Sequence, residues 1–388
     1  MNQTFMGYIR PDGSVGIRNH VVVVPTTACA AGVVQRIARE VPELTPMLHT
    51  LGCGRPAEVQ RLQYIMGNVL SSPNHYAVIL VGLGCEGMFS APIEEAVHST
   101  GKPVSTFLLQ RDGGLEECIR KAVRQARIYL DEAAQCRREP CPFSKLIIGT
   151  ECGSSDGLSG PLANQLIGYV SDYVVAQGGT SLLTESIELI GTADILAGRA
   201  VSPDVAQRVR TVVDDADRRL SSAIGWKNAH CANSANLAGE ITTAEEKGLG
   251  CVKKGGTSPV TDVIGYAEPV RGRKGLIVAD GPVFDTESLA GLYGSGAQIV
   301  LFSTGRGNPI GYPTAPVIKI SSNDTTYALF AEATDINAGR IVSEKLSVAE
   351  LGEETIALML RILNGEPSAS ERFGQGGLLC IQTTTAAV

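Results

Sequence analysis

Short apolar runs and amphipathic stretches alternate through the first third of the chain. Val21–Pro25 is continuously apolar and is followed by CAAGVVQRIAREV, whose apolar residues recur at helical spacing. Met47–Leu51 precedes PAEVQRLQYIMGNVL, with Pro56 at a first-turn position. Val78–Leu83 precedes APIEEAVHST, and Val104–Leu108 precedes GGLEECIRKAVRQARIYLDEAAQ. Apolar strands regularly separated by helices predict βαβ units and a parallel sheet. The polar segment RREPCPFSK carries two prolines and predicts a boundary near residue 140.

Leu146–Gly149 opens a second part and leads into the helix PLANQLIGYVSDYVVAQ. TSLLTES, the helix SPDVAQRVRTVVDDADRRL and a long Gly- and Asn-rich passage come next. GLIVADG, AQIVLFSTGRGN and PVIKISSND read as three further strands, and VAELGEETIALMLRILNGE as a last helix with a Gly stop. The expected fold class is α/β, with two domains: residues 1–140, the smaller, and residues 141–388, the larger. At 388 residues the chain is long for one core, which supports that division.

Charge and composition narrow the function. A net charge of −7, a single Trp and the absence of a basic run argue against nucleic acid as a partner. No apolar segment is long enough to cross a bilayer, and MNQTFMGYIRPDGSVGIRNH lacks the layout of a signal peptide, so a cytoplasmic protein is expected. Ten cysteines are too sparse here for a disulfide scaffold, and none form a CxxC pair. Cys136 and Cys141 sit close together in a charged stretch and read as incidental.

Several cysteines nevertheless occupy equivalent places. Cys29, Cys53, Cys85 and Cys152 each follow an apolar run within a Gly- or Thr-rich turn, in the company of His49, Glu86 and Asp156. In an open parallel sheet the strand carboxyl ends share one edge, where ligands bind at topological switch points. A lone cysteine there is more often packing, but four equivalent ones favour a gathered site. Soft thiolates in a cytosolic protein suggest iron, either as an iron–sulfur cluster or as a mononuclear Fe(II) that also draws on His49, Glu86 or Asp156. An open iron would be a Lewis acid able to help expel a hydroxyl group as water.

Two further groups suit a carboxylate substrate. Arg306 lies in STGRGN and Lys319 in PVIKI, and a guanidinium binds carboxylates in a bidentate manner. Glu185 and Glu188 are three residues apart, Lys247 follows a helical stretch, and Asp280 and Asp285 lie on a strand-end loop. Any of these could remove a proton next to a carboxylate if its pKa were tuned. Lys253 and Lys254 read as plain surface charge. No GxGxxG opens a helix after the first strand, which argues against a nicotinamide cofactor.

Together these segments resemble the altronate/galactarate dehydratase family of sugar-acid hydro-lyases. The resemblance rests on GYIRPDGSVGIRNH, HTLGCG, GLGCE, ECGSSDGLSG, LLTESIELIG, ITTAEEKGLGCVKKGGTSPVTDVIGYAEP, STGRGNPIG and DIN, in the family's order. It implies two domains with largely parallel, Rossmann-like sheets and a site at the strand carboxyl ends. It also implies iron-dependent elimination of water from a small hydroxy-acid substrate, giving a 2-keto-3-deoxy acid. On that resemblance Glu86, Asp156, Glu185, Glu188 and Lys247 are the candidate catalytic residues. Arg18, Asn19, Ser155, Asn236, Asp280, Asp285, Arg306, Asn308 and Lys319 are the candidates for substrate binding, and His49, Cys53, Cys85, Cys152 and Cys29 for the metal.

The chain departs from the family pattern at three places. It starts just after the point where an N-terminal SAF-type domain would end, which leaves a separate small SAF-domain subunit as a candidate partner. Leu237 replaces the lysine of an SPGNK loop, and Leu51 a serine. The first two features lean toward the large subunit of a (2R)-sulfolactate sulfo-lyase, while the retained cysteines lean toward a dehydratase. A non-catalytic sugar-acid-binding relative is the third reading. A homo-oligomer is expected, although no motif carries that expectation.

Overall fold

The computed structural model describes residues 3–53, 58–87, 90–374 and 378–382. Pro56, expected in a first helical turn, lies outside them. Among the described residues the strands form three sheets. In chain order the strands are β1 (Thr4–Ile9), β2 (Val15–Gly16), β3 (His20–Pro25), β4 (Thr45–Pro46), β5 (His75–Gly82), β6 (Val104–Leu108) and β7 (Glu139–Pro142). They continue as β8 (Ile147–Cys152), β9 (Thr180–Leu183), β10 (Val260–Ile264), β11 (Gly275–Ala279), β12 (Ile299–Thr304), β13 (Val317–Ser321) and β14 (Ile336–Asn337).

The smaller sheet, in order β4-β3-β5-β6, is parallel throughout. Alternation along β3 shows why it needs two covers. Val21 and Val23 pack with Val34 and Ile37 of the helix Ala31–Glu40 and with Ile119 and Ala122 of the helix Gly114–Gln135. Val22 and Val24 face the other way, toward Leu62, Ile65 and Met66 of the helix Val59–Leu70. Both faces are thereby buried, as the unbroken apolar run requires.

The larger sheet, in order β10-β11-β9-β8-β12-β13-β14, is also parallel. Ile148, Leu301, Ile318 and Ile320 face the helices Gln165–Ala176 and Val348–Leu363, while Val300, Phe302 and Val317 face the helix Asp285–Gly294. The chain winds outward from β8 to β9 on one side and returns to β12 on the other. The switch point therefore lies between β8 and β12, and in the smaller sheet between β3 and β5. The expected α/β class with parallel sheets is what the chain forms.

Three local expectations differ. Residues 139–142, within the stretch taken as linker-like, form β7 and pair antiparallel with β1. The strand expected at Met47–Leu51 does not form there: β4 covers Thr45–Pro46 just before it, and Leu48 makes a single bridge to Leu378. The start of the PLANQLIGYV helix is a π-turn over Ser159–Asn164, a form common at functional sites.

Candidate active site

Strand β8 ends in Cys152, and the turns after it and after β9 assemble a buried cluster. Glu185, following β9, adopts φ +66°, a left-handed conformation that costs a non-glycine residue of order 1–3 kcal/mol. This directs Glu185 Oε2 to the Cys152 N–H at 3.0 Å and, one short turn later, Glu188 Oε2 to the Cys152 Sγ at 3.0 Å. The helix Ala244–Cys251 supplies Lys247 and Cys251, four residues apart and so on one face. Cys251 Sγ lies 3.6 Å from Cys152 Sγ and 3.0 Å from Glu188 Oε2. Lys247 Nζ is 3.1 Å from Glu188 and 3.4 Å from Cys152 Sγ. Lys254 Nζ pairs with Glu185 and lies 2.9 Å from Cys152 Sγ. Lys254 is completely buried, which corrects its reading as surface charge.

Cys152, Glu188 and Cys251 place one ligand atom each within 4.8 Å of the others, the arrangement a metal ion needs. The donors fit a soft divalent ion such as iron. An ion that displaced both thiol protons would leave the charge balance of the two ammonium and two carboxylate groups unchanged. Glu185 Oε1 is buried without a hydrogen-bond partner, so spare donor capacity lies beside the set. The electrostatics around the thiols are divided: burial, with Cys152 and Glu188 adding to it, drives Glu185 well above the ordinary carboxylate range, and burial drives the Cys152 thiol well above its own. Burial opposes ionisation of Lys247 and Lys254, yet the surrounding acidic groups, Cys152 foremost, raise both above the ordinary lysine range. Burial also works against the Glu188 carboxylate, but Lys247 and Lys254 outweigh it and hold its pKa down.

Lys247 connects this cluster to a cavity of about 350 Å³ lined by Ser155, Asp156, Ser159, Asn164, Lys247 and Lys253, among others. Its Nζ donates to Ser155 Oγ at 2.5 Å. The cavity wall is held by Asp156, whose carboxylate accepts from Ser159, Ser322 and Asn323 at 2.7–2.9 Å. With both oxygens engaged, Asp156 ties the β8 turn to the end of β13. Gly239 closes over this turn, where a Cβ would overlap the Ser155 carbonyl oxygen. The preceding short helix carries Asn236, and Arg306 donates to the adjacent Ala235 carbonyl at 3.2 Å.

The remaining candidates fall into three places. Asp285 and Asn308 meet at the β12 end, with Asn308 Nδ2 2.5 Å from Asp285 Oδ2, and Lys319 lies on the strand beyond. Asp280 is taken up by Arg219 at 2.9 Å and Ser186 at 2.5 Å, a structural tie. Cys29, Cys53, Cys85, His49 and Glu86 gather at the edge of the smaller sheet, not with Cys152. There the three thiols are exposed. His49 has both ring nitrogens occupied: Nε2 faces the Pro25 carbonyl at 2.5 Å, and Nδ1 accepts from the Leu51 N–H at 3.1 Å. That leaves no lone pair for a metal in this arrangement. Glu86 accepts from Thr26 at 2.5 Å and from the Gly84 N–H at 2.6 Å. Arg18 and Asn19 are not at a strand carboxyl end. They precede β3, where Arg18 pairs with Glu371 at 2.8 Å and Asn19 bonds Arg10 and Ala133.

Cys251 and Lys254 escaped the sequence reading. The signal was present: Lys247, Cys251 and Lys254 stand at i, i+4 and i+7, one helical stripe.

Parallel sheets with thiol, carboxylate and ammonium groups at their carboxyl edges define an α/β protein with strand-end active-site chemistry. Two family models match the chain, "D-galactarate dehydratase/Altronate hydrolase, second domain" over residues 7–134 and "D-galactarate/Altronate dehydratase, C-terminal" over residues 143–386. The chain belongs to the D-galactarate/altronate dehydratase family. It is 33% identical over 378 residues to an altronate dehydratase of Bacillus subtilis (strain 168), covering 94% of this chain and 75% of that protein. It is 31% identical over 387 residues to a (2R)-sulfolactate sulfo-lyase subunit beta of Chromohalobacter salexigens, covering 96% and 95%. To a galactarate dehydratase (L-threo-forming) of Escherichia coli (strain K12) it is 28% identical over 401 residues, covering 97% and 76%. Among the described residues no helix is long and apolar enough to cross a membrane.

Proposed function

We propose that the chain is a carbon–oxygen lyase that removes water from a small polyhydroxy carboxylate and releases a 2-keto-3-deoxy acid. The observation that carries this reading is Lys247, which both lines the cavity and touches the thiol–carboxylate cluster. An ammonium so placed can hold the substrate carboxylate and stabilise the negative charge that develops when the adjacent C–H bond breaks. Ser155, hydrogen-bonded to Lys247, orients that ammonium toward the cavity. Cys152, Cys251 and Glu188 would hold iron, which when bound supplies a Lewis acid for the departing hydroxyl. Lys254 and Glu185 would then act on the ligands from behind, fixing their orientation.

The test is anaerobic purification followed by iron and sulfide analysis and an assay for 2-keto-3-deoxy acid from altronate and galactarate. Iron near one per chain, lost in Cys152→Ala and Cys251→Ala but kept in Cys53→Ala and Cys85→Ala, is the expected result. Iron lost only in the latter pair would move the metal to the smaller sheet.

A second reading rests on the 31% identity over 387 residues to a (2R)-sulfolactate sulfo-lyase subunit beta. On that reading the chain expels sulfite and works with a small partner subunit. Sulfite release from sulfolactate on adding such a subunit, with no keto acid from altronate, would decide for it.

A further inference from the structure

The cavity beside the thiol cluster is lined by two lysines at different depths. Lys247, buried in the helix Ala244–Cys251, lines it where Ser155, Cys152 and Glu188 fix the ammonium. Lys253 is exposed and lines the same cavity from the turn Val252–Gly255, which continues that helix. At a rise of about 1.5 Å per residue, the two positions lie about 9 Å apart along the axis. Lys253 therefore stands at the mouth of a cavity of about 350 Å³, which corrects its reading as plain surface charge.

The acidic side chains of the lining are already engaged. Asp156 has both oxygens held by Ser159, Ser322 and Asn323. Glu246 is turned back onto the start of its own helix, where Oε2 accepts from the Thr242 N–H at 2.8 Å and from Thr242 Oγ1 at 2.9 Å. The Lys253 ammonium makes no hydrogen bond or ion pair with any described residue. Pro161, Ile241 and Leu249 contribute apolar wall between the two lysines, so charges meeting in the cavity are less screened than in open water. A substrate carboxylate on the buried Lys247 leaves the Lys253 ammonium facing the other end of the bound molecule.

We propose that the substrate is a dianion, a small hydroxy acid whose first carboxylate lies on Lys247 and whose second anionic group, at the far end of the carbon chain, is recognised by Lys253. This rests on the reading above in which the cavity binds substrate through Lys247. Lys253 is then a specificity-determining residue. It selects a dicarboxylate such as galactarate, or a carboxylate–sulfonate such as sulfolactate, over a monocarboxylate such as altronate. A monocarboxylate brings a neutral alcohol to the mouth of the cavity, with no charge for the ammonium to meet.

The test compares galactarate, sulfolactate and altronate on the full chain, purified without oxygen and loaded with iron, at one ionic strength. KM is read for each acid that is turned over, and the calorimetric Kd for each that is not. Wild type is expected to favour at least one dianion over altronate by about tenfold. Lys253→Met should weaken that dianion about five- to tenfold and move altronate by less than about twofold. Lys253→Arg should restore most of the loss, and Glu246→Gln, which removes a like charge from the mouth, should tighten the dianion. Whichever dianion responds identifies the second anionic group as carboxylate or sulfonate. Altronate held as tightly as both dianions, an unchanged dianion affinity in Lys253→Met, or an equal loss for all three acids overturns the assignment; keto acid formed in any of those cases leaves the hydro-lyase reading intact. A dianion preference that depends on Lys253, with no 2-keto-3-deoxy acid formed, upholds the assignment while the hydro-lyase reading fails. Binding of none of the three acids overturns both.

Discussion

At the scale of single residues, the thiol cluster is a set of buried charges that only make sense together. Lys254 is the clearest case, since its ammonium pairs with Glu185 and Cys152 at the bottom of the site. Lys254→Met should destabilise the fold by about 1–3 kcal/mol, because it leaves the buried Glu185 carboxyl and Cys152 thiol without that donor. Adding Glu185→Gln should recover much of that loss, a coupling that urea unfolding of the two single variants and the double variant would measure. Simple additivity would mean that the pair does not stabilise as a unit. The same residue shows how far the site was legible in the sequence. Cys152, Glu185, Glu188 and Lys247 were visible because strand ends and helical spacing mark them. Lys254 was hidden in a Lys-Lys doublet that looks solvated, since sequence spacing carries no burial. The four-cysteine pattern suggested one site, but whether two sheet edges meet depends on how the sheets pack, which no local pattern encodes.

At the scale of elements, the segment between the helices Pro203–Ile224 and Ala244–Cys251 covers the active-site turn, and His230 clamps it. His230 Nδ1 is 2.7 Å from Glu245 and Nε2 3.3 Å from Asp217, one acid on each flanking helix, and its ring stacks on Trp226 at 4.7 Å. Glu245 first, and then Asp217 against the effect of burial, raise the His230 pKa above its ordinary value. A group whose folded pKa is raised stabilises fully below its unfolded pKa, about 6.5, and loses that contribution as pH rises through the folded value. Amide exchange across residues 225–243 should therefore speed up as pH rises past neutrality, beyond the intrinsic base-catalysed increase. His230→Gln should abolish that excess; an identical excess in the variant would assign it elsewhere. Gly239→Ala tests the lid sterically. Its Cβ would overlap the Ser155 carbonyl, so the lid should lift, with activity falling more than stability. The lid's role was not legible because its residues lack periodicity. The parallel strands were legible because their apolar runs are long, whereas β4 and β7 are too short and too rich in proline to announce themselves.

At the scale of the whole molecule, the question is whether two parallel sheets behave as two folding units. Val22 and Val24 of β3 belong to the same apolar cluster as Ile277, Val300 and Phe302 of the larger sheet, joined through the helix Val59–Leu70 and through the helix Asp285–Gly294 with its Tyr293. Polar contacts reinforce the joint. Asn74, completely buried at the head of β5, accepts from the Ile17 N–H at 2.9 Å and donates to the Gln298 carbonyl at 3.0 Å. Gln298 in turn donates to the carbonyls of Val15 and Lys145 at 2.8 and 2.9 Å and accepts from the Ile147 N–H at 2.6 Å. Two amide side chains thus tie all three sheets. Separating the parts would expose a continuous core and strip the Gln298 and Val15 carbonyls of their amide partners, so we expect one cooperative transition. Calorimetric and van't Hoff enthalpies should then agree for the wild type. Asn74→Ala should lower stability by about 1–3 kcal/mol, the cost of one buried amide network member left unmet, without splitting the transition. Two resolved transitions in the wild type would instead mean that the apolar joint is weaker than either sheet's own core. The active site, whose residues span β8 to β13, would then depend on the larger part alone, with the exposed thiols of the smaller sheet free to serve another purpose.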